Sequence, residues 1–335
     1  MENIAILLLS LGIILIGAEV FTNGVEWLGF RLNLSEGAVG SILAAVGTAM
    51  PETIIPIIAL VFGIGSKSEE VGIGAIIGAP LMLSTLAMFV TGLAIIITSR
   101  RRLSGTEVNA DNSVMKRDLG FFLIVFTAAI LSGLLPPPLR HWQIMIGAFM
   151  IFSYAWYVID TLREEREECE EDMRPCYFAP RQAEPSMMIL VVQLLVALGL
   201  IIGGAKLFVG GIEQVASALG IPAFVLSLVI APIATELPEK FNSVIWVSRG
   251  KDTLALGNIT GAMVFQSSII PALGIFFSPW HLTFGALVSG IITLVSTAIL
   301  YLELRMRNKI SVYTLLISGA FYIIFLTLAL DRVLG

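Results

Sequence analysis

Gly47-Thr48-Ala49-Met50-Pro51-Glu52 and Ala234-Thr235-Glu236-Leu237-Pro238-Glu239 are two versions of one motif, set at an offset of 187 positions. Each lies inside a long apolar stretch and ends in a carboxylate. An ionised group at the centre of a membrane helix costs about 2.5–3.5 kcal/mol on insertion scales, so such a residue faces a polar cavity and marks an ion path. Two of them at equivalent places in one chain point to a transporter with a cation site at its centre.

The surrounding composition belongs to a helical membrane protein. Of 335 residues, 57% are hydrophobic and 13% charged, against about 25% charged in soluble domains. Apolar runs long enough to cross a bilayer recur along the chain. The predicted spans are 3–29, 36–63, 71–98, 118–135, 141–161, 187–217, 222–248, 253–277, 281–303 and 309–331. Pro80 predicts a broken or strongly tilted third span. Residues 4–16 lack a basic flank and a small-residue cleavage site, so they read as a retained helix and not a signal peptide.

Lysine and arginine set the orientation. Loops after odd-numbered spans hold 15 of them and the opposite side holds Lys67, Arg140 and Arg332. The odd loops are therefore expected in the cytoplasm, with both termini outside and the plasma membrane as location. The net charge of -5 gathers in the loop Arg163–Pro185 and carries no signal for nucleic acid. That loop reads as a solvated linker extending the fifth helix or as a cation-sensing segment. Its Cys169 and Cys176, the chain's two cysteines, read as free thiols, with a disulfide or metal clip the alternative.

The offset of 187 aligns the chain without a gap from Gly17 to Glu52. Gly17 and Ala18 meet Gly204 and Ala205; Phe21, Gly24 and Glu26 meet Phe208, Gly211 and Glu213; Leu32 and Ala44 meet Leu219 and Ala231; Thr48, Pro51 and Glu52 meet Thr235, Pro238 and Glu239. A second block, Gly74–Ala79, matches Gly257–Ala262. Five spans per half is an odd number, which inverts the second half relative to the first. The expected fold is all-α and integral to the membrane, with ten transmembrane helices in two inverted five-helix repeats. Residues 1–162 form the first repeat, 163–186 the acidic linker and 187–335 the second repeat; the motif regions lie near 44–85 and 231–268.

Proline in mid-helix removes one backbone bond and frees a carbonyl a turn earlier. Pro51 is expected to free the carbonyl of Gly47 and Pro238 that of Ala234. Thr48 and Thr235 stand four residues before Glu52 and Glu239, on the same helix face. Each half thus offers a carboxylate, a hydroxyl and freed carbonyls. Together they make an oxygen cage of the kind hard cations such as Ca²⁺ prefer, with about six to eight ligands. Without Cys or His nearby, a soft-metal site is disfavoured. Gly74 and Gly78, like Gly257 and Gly261, suit close helix packing beside the site.

These residues resemble the alpha repeats of the cation/Ca²⁺ exchanger superfamily, nearest to its sodium/calcium exchanger branch. The resemblance runs over nearly the whole chain. It implies that Glu52, Glu239, Thr48 and Thr235 hold Ca²⁺, and that spans 1 and 6 (Ile4–Gly29 and Met188–Ala216) slide across a rigid bundle. Departures bear on the sodium sites. Ala49 and Glu236 replace serines of the family pattern, Ala79 and Ala262 replace two more, and Leu83 and Gln266 stand where Asn or Asp is usual.

Glu236 and Lys240 add two charges four residues apart, in favourable order for a pair. Lys240 reads as a surrogate for a bound sodium ion, Glu236 as a proton carrier, or the two as a self-neutralising pair. Gln266, Ser84, Ser267 and Ser268 are further ligand candidates. Glu19, Asn23, Glu26, Lys206 and Glu213 read as interfacial anchors or as gating groups.

The expected function is a secondary antiporter that exchanges Ca²⁺ or another divalent cation for Na⁺ or H⁺ by alternating access. The alternative is a cation channel or ion-sensing membrane protein that has lost exchange. No constellation suggests an enzyme, since His141 and His281 both fall at span ends. No cofactor is implied. The partners are inorganic cations and the bilayer, and the chain is expected to work as a monomer.

Overall fold

The structure is a computed structural model that describes residues 2–31, 50–62, 67–164, 174–182 and 184–334. Among these, regular structure is wholly helical. In chain order, α1 is Glu2–Arg31, α2 Met50–Val61, α3 Ser68–Thr98, α4 Asn112–Ser132 and α5 Arg140–Glu164. After the linker come α6 Met187–Leu219, α7 Ala223–Ser248, α8 Asp252–Phe277, α9 Phe284–Arg307 and α10 Val312–Leu334. Seven of the described helices, α1, α3, α5, α6, α8, α9 and α10, are long and apolar enough to cross a membrane. In α4 and α7 charged residues break the apolar run: Lys116, Arg117 and Asp118 in one, Glu236, Glu239 and Lys240 in the other.

Local chemistry places the ends. The Asp111 carboxylate accepts from the Ser113 and Val114 amides, so α4 starts at Asn112, six residues before the apolar run predicts. Ser186 and Thr283 cap α6 and α9 in the same way. Gly220 closes α6 in the left-handed region, φ 68°, and Pro222 opens the way into α7.

Pro80 does not break α3. The helix runs through it, and a π turn, Leu83–Ala87, begins three residues further on. The Ser84 carbonyl in that turn accepts from Ser296 Oγ of α9 at 2.8 Å. A neighbouring helix thereby satisfies a backbone group that lipid could not.

The apolar core falls into two main clusters. One joins α3–α5 and α7–α10. The other joins α1, α2 and α6 through Ile14, Ile55, Ile58, Ile201, Phe208 and Ile212, with Val71 and Ala75 of α3 and Ala223 and Ala231 of α7. Helices α1 and α6 pack antiparallel, and their close approaches repeat at the sequence offset. A Cβ at Gly17 would meet Ile201 and Ala197; one at Gly204 would meet Ile14 and Ser10. A Cβ at Gly24 would meet Leu194; one at Gly211 would meet Leu7. Each contact maps onto its mate when 187 is added or subtracted, so a local two-fold axis passes through this crossing.

Glycines also seat α3 on α7. A Cβ at Gly74 would lie 2.6 Å from the Phe224 carbonyl oxygen, and one at Gly78 would lie 2.3 Å from that of Leu228. Only glycine lets the backbones come so near. Ser227 Oγ adds a bond to the Val71 carbonyl at 2.7 Å. At one end of the bundle Arg102 and Asp252, both side chains fully buried, form a two-pronged ion pair at 2.7 Å. It ties the α3–α4 connection to the start of α8.

Candidate functional site

Helix α2 enters the described structure at Met50, so Pro51 and Glu52 stand in its first turn. Glu52 is 7% exposed. It lines a cavity of about 10 Å³ with Ile55, Pro56, Ala75, Ala79, Ala231, Pro232 and Thr235, roughly room for one water-sized occupant. The cavity is built by α2, α3 and α7. It therefore brings a carboxylate of the first motif and a hydroxyl of the second onto one small space.

Two prolines outside the motif belong to this wall. Pro56 lacks the amide that would bond the Glu52 carbonyl, and Pro232 lacks the one that would bond Leu228. The Leu228 carbonyl is the group that lies against Gly78. The motif search passed over Pro56 and Pro232 because neither has a repeat mate. A proline four residues beyond a buried carboxylate was the available signal. Thr235 Oγ donates to the Ala231 carbonyl at 3.1 Å, which turns its lone pairs outward from its own helix.

Glu236 and Gln266 form a second polar node. Gln266 Nε2 of α8 donates to Glu236 Oε1 of α7 at 2.6 Å, and both residues are buried. Glu236 is adjacent to Thr235 in sequence and so stands about 100° round the helix from it. Among the described residues it does not line the Glu52 cavity. The predicted ligands thus divide into Glu52 with Thr235 between α2 and α7, and Glu236 with Gln266 between α7 and α8. A carboxylate in such a dry setting demands a counter-charge or a proton.

Other candidates are placed differently from the sequence expectation. Ser267 and Ser268 donate back to the Val264 carbonyl at 2.9 and 2.7 Å, and Ser84 to Leu81 at 3.2 Å. These hydroxyls serve their own helices. Leu83 and Ala79 put apolar groups where the resemblance implies sodium ligands; Ala79 faces the cavity. Gly47 and Thr48, and the side chains of Ala234, Glu239 and Lys240, lie outside the described residues. Among the described residues no three His, Cys, Asp or Glu side chains gather as a metal cluster.

Of the groups assigned to anchoring or gating, the side chain of Glu26 lies outside the described residues, and the other four find partners. Glu213 accepts from Ser68 Oγ at 2.9 Å, linking α6 to the start of α3. Lys206 Nζ sits 5.7 Å from the centre of the Phe62 ring. Glu19 and Asn23 bind the segment before α6. Cys176 is a free, buried thiol, and Cys169 lies outside the described residues.

Long apolar helices, glycine-mediated helix contacts and buried carboxylates where two sequence repeats meet define a membrane transport protein. The chain belongs to the sodium/calcium exchanger protein family, whose model matches residues 2–161 and 189–330. Its members are membrane antiporters and not enzymes. The chain is 25% identical over 269 residues, 80% of each chain, to an uncharacterised membrane protein of Methanocaldococcus jannaschii. It is 24% identical over 307 residues, 83% of each, to the sodium/calcium exchanger MaX1 of Methanosarcina acetivorans. Its fold is similar to that of the H⁺/Ca²⁺ exchanger CAX, with a TM-score of 0.72 at 19% identity over 98% of this chain and 82% of the other.

Proposed function

We propose that this protein is a secondary antiporter that moves Ca²⁺ or another divalent cation against Na⁺ or H⁺. One midplane site alternates between the two faces of the membrane. The observation that carries the reading is the shared cavity: Glu52 of one motif and Thr235 of the other line the same small space. Both are oxygen donors, and a buried carboxylate favours a cation. Glu239, Thr48 and the carbonyls of Gly47 and Ala234 complete the ligand set in this proposal. Ten transmembrane helices in two inverted repeats, with both termini outside the plasma membrane, form its frame. The reciprocal glycine contacts of α1 and α6 support it. These two helices are the sliding element.

Apolar Ala79 and Leu83 at the family's sodium positions favour H⁺ as the counter-ion, with Glu236 as proton carrier beside Gln266. A relative bears the name sodium/calcium exchanger and a structural neighbour the name H⁺/Ca²⁺ exchanger, so both couplings are to be tested. Radiolabelled Ca²⁺ uptake into proteoliposomes, driven in parallel by outward Na⁺ or outward H⁺ gradients, decides between them. H⁺-driven uptake without Na⁺ supports this coupling; uptake only with Na⁺ refutes it. Absence of uptake under both gradients removes the Ca²⁺ antiporter assignment.

A further inference from the structure

Residues 174–182, before α6, lie against the α1–α6 pair and are held there by buried polar groups. Asn23 of α1 is 4% exposed and Gln193 of α6 is fully buried. Gln193 Nε2 donates to Asn23 Oδ1 at 3.1 Å and to the Val20 carbonyl at 3.0 Å. Its Oε1 accepts from Cys176 Sγ at 3.2 Å and from the Phe178 amide at 3.0 Å. Asn23 Oδ1 also accepts the Tyr177 amide at 3.1 Å, and Trp27 Nε1 donates to the Arg174 carbonyl at 3.1 Å. Two side chains, one from each helix, therefore satisfy both each other and the backbone of the segment around Cys176.

The rest of the interface is apolar or exposed. Trp27, Cys176, Ala179 and Leu190 form a small buried cluster. Glu19 with Arg174 and Arg31 with Glu184 add solvent-exposed ion pairs, which water screens and which therefore hold the segment only weakly. The node is also one-sided. Under the two-fold relation of α1 and α6, Asn23 maps to Gly210 and Gln193 to Ile6. The opposite end of the crossing thus has neither amide.

We propose that residues 174–182 are a strap that fixes α1 to α6 at one end, with Asn23 and Gln193 as the positioning residues that keep it docked. The proposal rests on the antiporter reading, in which these two helices slide. With the strap in place the pair moves as one body, and any splaying is confined to the unstrapped end. Transport depends on the node even though none of its residues reaches the ion cavity.

Cys176 supplies the readout, since its thiol is buried only while the strap is docked. In a Cys169→Ser background, alkylation of Cys176 by N-ethylmaleimide is measured together with Ca²⁺ uptake. Wild-type Cys176 is expected to stay protected in saturating Na⁺, saturating Ca²⁺ and at either end of the pH range used. Asn23→Ala and Gln193→Ala are expected to raise the alkylation rate about 5- to 150-fold, the range for losing a buried hydrogen-bonded partner, and to slow uptake. Arg31→Ala, which removes only an exposed pair, leaves both unchanged.

If the alanine variants fail to fold, Gln193→Glu is the second test. It is nearly isosteric, keeps the acceptor for Cys176 and Phe178, and replaces the amide donor facing Asn23 and Val20. Raised alkylation with normal uptake overturns the proposal. So does a wild-type Cys176 that becomes reactive when Na⁺ is exchanged for Ca²⁺, because the strap then releases during the cycle. A wild-type protein without uptake defeats the antiporter reading instead, while alkylation still reports whether Asn23 and Gln193 hold the strap.

Discussion

Replacing Gly78 by alanine puts one methyl group where the α3–α7 contact has no room. The added Cβ would sit 2.3 Å from the Leu228 carbonyl oxygen and 2.9 Å from the Leu228 carbonyl carbon and Cα. That is 0.7 Å inside the 3.0 Å that real Cβ contacts respect. The obstruction is backbone, so no rotamer change relieves it, and the helices must separate. Separation stretches the Ser227–Val71 bond, 2.7 Å at present, and loosens the packing of Ile77 and Leu228 in the core. Overpacking of this kind costs about 1–3 kcal/mol, and an unyielding carbonyl puts Gly78→Ala at the upper end. At roughly 1.4 °C per kcal/mol for 335 residues, the melting temperature should fall by about 4 °C. Thermal unfolding of the purified protein in detergent measures it. Gly199→Ala is the matched control. A Cβ there meets nothing within 4 Å among the described residues, and alanine for glycine in a helix gains about 0.5–1 kcal/mol. Equal melting temperatures for the two variants would refute the close α3–α7 approach. Because Ala79 lines the cavity next to Gly78, Gly78→Ala should also lower Ca²⁺ uptake.

Glu52→Gln removes the charge from the cavity at constant shape; Ca²⁺ uptake should be lost while the melting temperature is retained, and persistent uptake would remove Glu52 from the site. Arg102→Met leaves Asp252 as an uncompensated buried charge and should cost about 3–5 kcal/mol, whereas Arg102→Met/Asp252→Leu should recover most of that loss in the same melting assay. Ser296→Ala takes the donor from the Ser84 carbonyl in the π turn and should cost about 1–3 kcal/mol; an unchanged melting temperature would show that the turn satisfies itself.

Much of the scaffold could be read along the chain because membrane helices are specified by local apolarity. The ends of α6, α7 and α8 fall within two residues of the predicted limits. The start of α4 does not, since its first turns carry Lys116, Arg117 and Asp118 and hydropathy cannot see an amphipathic entry. The effect of Pro80 was legible only as a disturbance. The π turn that follows Pro80, whose Ser84 carbonyl takes a bond from Ser296 more than 200 residues away, left no mark in the sequence. For the site, the repeat singled out Glu52 and Thr235, but spacing gave no means of seeing that Glu236 turns toward α8 and Gln266. That direction is set by how α7 rotates against its neighbours.

The sequence by itself determined the class of the protein: apolar runs, two copies of one motif, and glycines at repeated offsets, all of which are one-dimensional quantities. Tertiary structure decided which groups meet. Pro56 and Pro232 joined the cavity wall, three serines turned back onto their own helices, and Asn23 and Gln193 gathered residues 174–182 onto α1 and α6. The physical reason is that hydropathy and helix period act over one or two turns of chain. Hydrogen-bond partners and close approaches are fixed by crossing geometry between helices distant in sequence, where a buried polar group accepts whichever partner that geometry brings within reach.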